Sequence, residues 1–237
     1  MLPLSDGLRS RQFPIVNVAL IAANFAVWML VELPHLNEAV FRWSFYPCGV
    51  DNACRTPEPT ALTWLTSMFL HGSWSHILGN MLFLVIFGKN VEDAYGHLRY
   101  LLLYISGGFF AGMTQVAVTL LAGTAADAPV PTLGASGAIA AVLGAYAVLY
   151  PNSRIRTLLG IIVVRIPAWV YLGGWFLYQL VSAHFSMVST SPHAGGVAFF
   201  AHIGGFLFGM LVTVRLLRTE RISPQDSVPV PGTPAWQ

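Results

Sequence analysis

Charge is scarce in this chain. Of 237 residues only 9% are Asp, Glu, Lys or Arg, while 55% are hydrophobic. Ordinary soluble domains carry about a quarter charged residues, so too little polar surface is available to clothe a water-soluble globule. The net charge of +2 excludes the strongly basic surface that a nucleic-acid partner requires. Cysteine is almost absent as well, with only Cys48 and Cys54. There is no HExxH stretch and no carboxylate close to the histidines that could complete a metal site, so neither metal nor other cofactor is expected.

Long apolar runs are what the sequence does have, and about 20 such residues cross the hydrocarbon core of a bilayer. Six spans are read at residues 14–33, 75–88, 99–121, 134–150, 167–183 and 199–217. The second and fourth are short, which is tolerable where protein or water surrounds the helix end. The first run, Pro14 to Leu33, is long enough to be retained as a span instead of being cleaved as a signal peptide. The apolar stretch Ile155 to Ile166, bounded by Arg156 and Arg165, is taken as an interfacial connector. The fold class expected is an all-α, six-helix membrane bundle over residues 14–218, with a tail at 1–13 and a disordered tail at 219–237 containing four prolines.

Basic residues mark the cytoplasmic side of a membrane protein. With the N-terminus inside, Arg9, Arg11, Lys89, Arg99, Arg154, Arg156, Arg165, Arg215, Arg218 and Arg221 are all inside, ten of the twelve Lys and Arg; only Arg42 and Arg55 are outside. Both termini are then cytoplasmic. Cys48 and Cys54 fall in the long first outer loop, on the oxidising side of a bacterial or secretory membrane, where a short-loop disulfide is expected and two free thiols are the alternative. Compactness and the lack of an organelle-targeting segment lead to the expectation of a bacterial cell membrane.

Ionisable residues at membrane depth are costly and usually mark function. His76 with Asn80, then Ser136, then His202 stand out. All lie on even-numbered spans, within the first turns after entry from the outer face, and so share one depth. His76 and Asn80, four apart, share a helix face. Ser136 opens a helix rich in small residues, and a helix N-terminus offers unpaired N–H groups to a developing oxyanion. His202 lies beside Gly205-xxx-Gly209, a pair that permits close helix packing; Ser136, Ala140 and Gly144 offer a matching face. A serine hydroxyl needs a base to take its proton, and histidine is the usual one. All ten acidic residues lie outside the spans or at their ends, so a Ser136–His202 dyad is predicted, with His76, Asn80 and the Ser136 N–H as oxyanion donors. Taken alone, each residue also has a plain packing role.

The run from Thr66 to Met81, which contains His71-Gly72-Ser73-Trp74-Ser75-His76-Ile77-Leu78-Gly79-Asn80, resembles the second-span signature of rhomboid proteases. Gly134-Ala135-Ser136-Gly137 resembles that family's nucleophile motif, Ala201-His202-Ile203-Gly204-Gly205 its base motif, and Asn90-Val91-Glu92-Asp93 with Gly96 the turn after its second span. The similarity covers about residues 60 to 218. It implies an intramembrane serine endopeptidase that cleaves transmembrane protein substrates near the outer face, within membrane lipid and without a cofactor. Trp175 and Phe176 on the fifth span resemble its lateral gate. An inactive, client-binding relative is the alternative, and a transporter with a polar midplane site is a further one.

Two departures bear on this resemblance. Leu62 and Thr63, with Trp64 displaced, stand where family members often carry a Trp-Arg pair, so an ion pair from that arginine to the position of Glu92 is absent. Ala140 stands where an aromatic residue often stacks on the base, which leaves the support of His202 open.

Overall fold

The computed structural model describes residues 1–123, 127–188 and 198–224. Helix α1 (Ile15–Val27) continues as a π-turn to Glu32. Two short helices follow in the first loop, α2 (Leu36–Trp43) and α3 (Thr60–Thr66), the latter ending in a 3₁₀ turn at Ser67–Phe69. Then α4 (Trp74–Phe83) runs through a π-turn at Leu84–Gly88 into α5 (Lys89–Tyr95). The remaining helices are α6 (His97–Ala122), α7 (Ser136–Leu149), α8 (Ala168–Val188) and α9 (Phe199–Arg218).

Helices thus occupy each of the six apolar segments. Among the described residues, three are long and apolar enough to cross a membrane: Ile15–Glu32, His97–Ala122 and Phe199–Arg218. A fourth counts if Thr60–Phe69 and Trp74–Tyr95, bent by 80°, are one broken span. Helix α7 has 14 residues, about 21 Å at 1.5 Å per residue, shorter than the roughly 30 Å hydrocarbon core. It lies at the centre, with Gly137 to Tyr146 buried, so protein and not lipid surrounds its ends.

Small residues set that packing. Gly205 and Gly209 of α9 lie so close to α7 that a Cβ on either would meet the carbonyl oxygens of Gly137 and Ala141, and one on Gly144 would meet that of Phe206. Matching numbers rise together, so α7 and α9 are parallel. On the other flank Gly107 and Ala111 of α6 meet Ala141 and Gly137 in antiparallel order. The Ser136, Ala140 and Gly144 stripe read from the sequence does face α9, Ser136 at His202, Ala140 at Gly205 and Gly144 at Phe206, and Gly137 and Ala141 widen that face toward α6.

The protein is not all-α. Strands β1 (Leu2–Ser5), β2 (Arg154–Leu159) and β3 (Ile162–Pro167) form an antiparallel sheet in the order β1-β2-β3. The expected interfacial connector is a hairpin, and the expected N-terminal tail supplies its third strand, since a hairpin alone is marginal in water. Beyond β1, Asp6 is buried, accepting hydrogen bonds from Asn90 and the Tyr146 hydroxyl, with Lys89 Nζ 3.6 Å away. Arg11 pairs with Asp93 at 3.0 Å. The start of the expected C-terminal tail also packs: Ile222 is buried and the Arg221 carbonyl accepts from Arg99 at 2.8 Å. The rest of that tail, residues 225–237, lies outside the described residues.

Burial raises the Asp6 carboxyl above its ordinary value, against the opposing pull of Lys89 and its hydrogen-bond donors. The folded state then holds this proton more tightly than the unfolded state does. Asp6 therefore contributes most below the ordinary carboxylate range and loses that contribution as pH rises toward its folded value. Thermal midpoints measured from about pH 4 to 7 should fall more steeply for the parent than for Asp6→Asn.

Candidate active site

Four elements bring the polar residues together. Ser136 is the first residue of α7, and no side chain caps that helix, so its opening N–H groups remain available. Gly134 precedes it at φ +122°, in the region open to glycine. A Cβ there would lie 2.9 Å from the His76 ring, so glycine both makes the turn and lets the histidine approach. The Gly134 N–H donates to the Ser67 carbonyl at 2.8 Å, and Phe45 and Thr132 exchange backbone hydrogen bonds at 3.0 and 2.7 Å. The first loop therefore braces the segment that presents the serine.

That loop is held by its own contacts. Trp64 stacks on Phe109 with centroids 4.7 Å apart and packs on Phe45 at 4.6 Å. Cys48 and Cys54 are joined by a disulfide with Cα atoms 5.4 Å apart, and Arg42 pairs with Glu58 at 2.5 Å. Glu92 is out of this loop's reach at the opposite end of the bundle. There it accepts from the Val16 and Asn17 N–H groups at 2.9 and 2.7 Å and pairs with His97, satisfying donors that begin α1.

His202, in the first turn of α9, places Nε2 2.6 Å from Ser136 Oγ. Its other ring nitrogen, Nδ1, is 2.9 Å from Oε1 of Gln179 on α8. Both side chains are nearly enclosed, at 8% and 4% exposure. Sequence reasoning missed Gln179; its signal was the one amide side chain of α8, one turn after Trp175. The Trp175 ring lies 6.0 Å from that of His202, whereas Phe176 stacks on Phe206 at 4.8 Å. Ala140 is buried in the core. The histidine is thus held from α8, and not by stacking on α7.

His76 and Asn80 project from α4 into the same cavity of about 250 Å³, which Ser136, His202, Trp175 and Gln179 also line. Ser73 caps α4 by accepting from the His76 N–H at 3.2 Å. The Gly72 N–H points to His76 Nδ1 at 3.4 Å, which leaves Nε2 to carry the ring proton. Asn80 Nδ2 is buried without a protein partner, a free donor facing the cavity. His71, which precedes α4, is buried; its N–H donates to Glu32 at 2.6 Å.

Residues 58–219 match the family model of the Rhomboid domain, more than half of the chain. The chain belongs to the rhomboid family. It is 29% identical over 210 residues to the bovine presenilin-associated rhomboid-like protein, mitochondrial, covering 87% of this chain and 48% of that protein. The human protein of the same name is 28% identical over the same shares. Rhomboid protein 1, mitochondrial, of Saccharomyces cerevisiae is 27% identical over 193 residues, covering 81% and 51%. The chain therefore spans about half the length of these curated relatives. Their names also correct one expectation. They are mitochondrial proteins of eukaryotes, and they overturn the placement in a bacterial cell membrane.

Proposed function

We propose that this rhomboid is an intramembrane serine endopeptidase acting on transmembrane protein substrates through a Ser136–His202 dyad, within a six-span bundle. The observation that carries the reading is the 2.6 Å approach of His202 Nε2 to Ser136 Oγ in a shared cavity. With Gln179 Oε1 accepting from Nδ1–H, the Nε2 lone pair faces the hydroxyl. Ser136 Oγ attacks the scissile carbonyl as its proton passes to Nε2. The oxygen that becomes negative is received by Asn80 Nδ2, His76 Nε2–H and the Ser136 N–H. The imidazolium then protonates the leaving amine as the C–N bond breaks, and water, deprotonated by the same nitrogen, hydrolyses the acyl-enzyme. Gln179 is a neutral acceptor, so it orients the base without the charge that a carboxylate would bring. Trp175, against His202 on α8, marks the side from which a substrate helix would enter.

A fluorophosphonate probe tests this on the full chain in detergent. Labelling that vanishes in Ser136→Ala supports the peptidase; a parent that labels no more than Ser136→Ala leaves the client-binding alternative. For the positioning residue, Gln179→Leu should label about 10- to 100-fold more slowly than the parent. Gln179→Glu keeps the acceptor and should restore the rate, with the pH profile displaced upward by the added carboxylate. Equal rates and profiles in all three proteins would remove Gln179 from the mechanism.

A further inference from the structure

The small sheet has an outer face that the peptidase reading leaves unused. In the β2–β3 hairpin Arg156 and Arg165 stand directly opposite one another, and both are exposed. Like charges at one cross-strand position repel. Among the described residues, neither makes an ion pair with a carboxylate. The two-residue period puts Arg154 and Leu158 on this face too, away from Ile155 and Thr157, which are fully buried against the bundle. No acidic residue occurs in any of the three strands.

The far end of the hairpin is apolar and bare. Ile161 is 97% exposed and Ile162 63%, with Val163 and, on β1, Leu2 and Leu4 also exposed. In water, a contiguous apolar patch of this kind marks an interaction surface. Its position indicates which one. β2 follows the end of α7 and β3 leads directly into α8, so the sheet sits at the end of the bundle, on the side where most Arg and Lys residues gather. An apolar edge beside a cationic face is the pattern of an element lying in a membrane interface.

We infer that the sheet is a membrane-surface anchor whose Ile161–Val163 tip enters the acyl boundary while Arg156 and Arg165 hold the phosphate of an anionic phospholipid. The planar guanidinium fork suits phosphate oxygens in a paired, bidentate manner. A phosphate between the two strands turns the cross-strand repulsion into attraction. The site requires only that the helical bundle lie in a bilayer, and is independent of the chemistry at Ser136.

Two measurements test it on the full chain. Among the described residues the cysteines are both in the disulfide, so Ile161→Cys can be labelled with a nitrobenzoxadiazole fluorophore. In nanodiscs of mixed phosphatidylcholine and phosphatidylglycerol, its emission should be blue-shifted, shielded from iodide and quenched by doxyl-labelled lipid. Water-like emission with full iodide access overturns the buried tip. Separately, phosphatidylglycerol added to the detergent-purified parent should raise its thermal midpoint by about 2–4 °C relative to phosphatidylcholine. The Arg156→Gln/Arg165→Gln variant should lose that rise while staying monodisperse. An equal rise in parent and variant overturns the arginine site, and an equal rise with inorganic phosphate overturns the lipid as its source.

Discussion

Replacing His202 with alanine is expected to slow acylation of Ser136 by on the order of 10⁴- to 10⁶-fold, the loss seen when a serine hydrolase is deprived of its base. The reason for so large an effect is that, among the described residues lining the cavity, His76 is the one titratable side chain besides His202, and it is not placed as a base. His76 directs Nδ1 toward the Gly72 N–H, leaving a protonated Nε2 toward the cavity. One Glu32 oxygen is engaged by the His71 N–H. Asp6 and Glu92 lie at the other end of the bundle, bonded to Asn90 and to the start of α1. The variant should keep its fold, because the imidazole already borders a cavity and its removal enlarges that space without opening a packed layer. Probe-labelling rates and thermal midpoints together read the outcome. A rate within about tenfold of the parent, with the fold intact, would mean that Ser136 is not activated by His202.

The second large effect is structural. Gly209→Leu should destabilise the protein by at least the upper end of the about 1–3 kcal/mol that overpacking costs. A Cβ at Gly209 would sit against the backbone carbonyl of Ala141. No rotamer relieves a clash made by Cβ itself, so α9 must move away from α7. The same displacement draws His202 from Ser136, two turns along the same helix, and labelling should fall with stability. Gly173→Leu on α8 is the contrast. There a Cβ meets nothing within 4 Å, and a thermal midpoint close to that of the parent is expected. If the two variants unfold alike, glycine content and not helix approach governs stability.

Much of the site was legible from residue type and position along the chain. Polar residues in apolar runs are conspicuous because lipid penalises them, and that reasoning picked out His76, Asn80, Ser136 and His202. It stopped at ionisable groups and small motifs, and so passed over Gln179, a neutral side chain subject to the same penalty. Ala140 signalled that stacking support was missing from α7; nothing local could signal that a helix 23 residues before His202 in sequence would supply a hydrogen bond in its place. The sheet was hidden for a related reason. The Ile155–Ile166 stretch is apolar at eight of its twelve positions, with an unbroken run at Ile161–Val164 that conceals its period of two, and its third strand comes from the first five residues of the chain.

Hydropathy, charge asymmetry and glycine spacing are one-dimensional quantities, summed along neighbouring residues. They sufficed for the membrane class, the six helical segments, the common depth of the polar residues and the close approach of α7 to α9. What holds His202 in line and where the N-terminal segment goes were decided by contacts between distant segments. Each such contact is chosen by how whole surfaces fit: α8 brings Gln179 to the base, and β1 adds the third strand to the sheet ahead of the buried Asp6. The pair of Ser136 and His202 was therefore present in the sequence, while its alignment belongs to the tertiary structure.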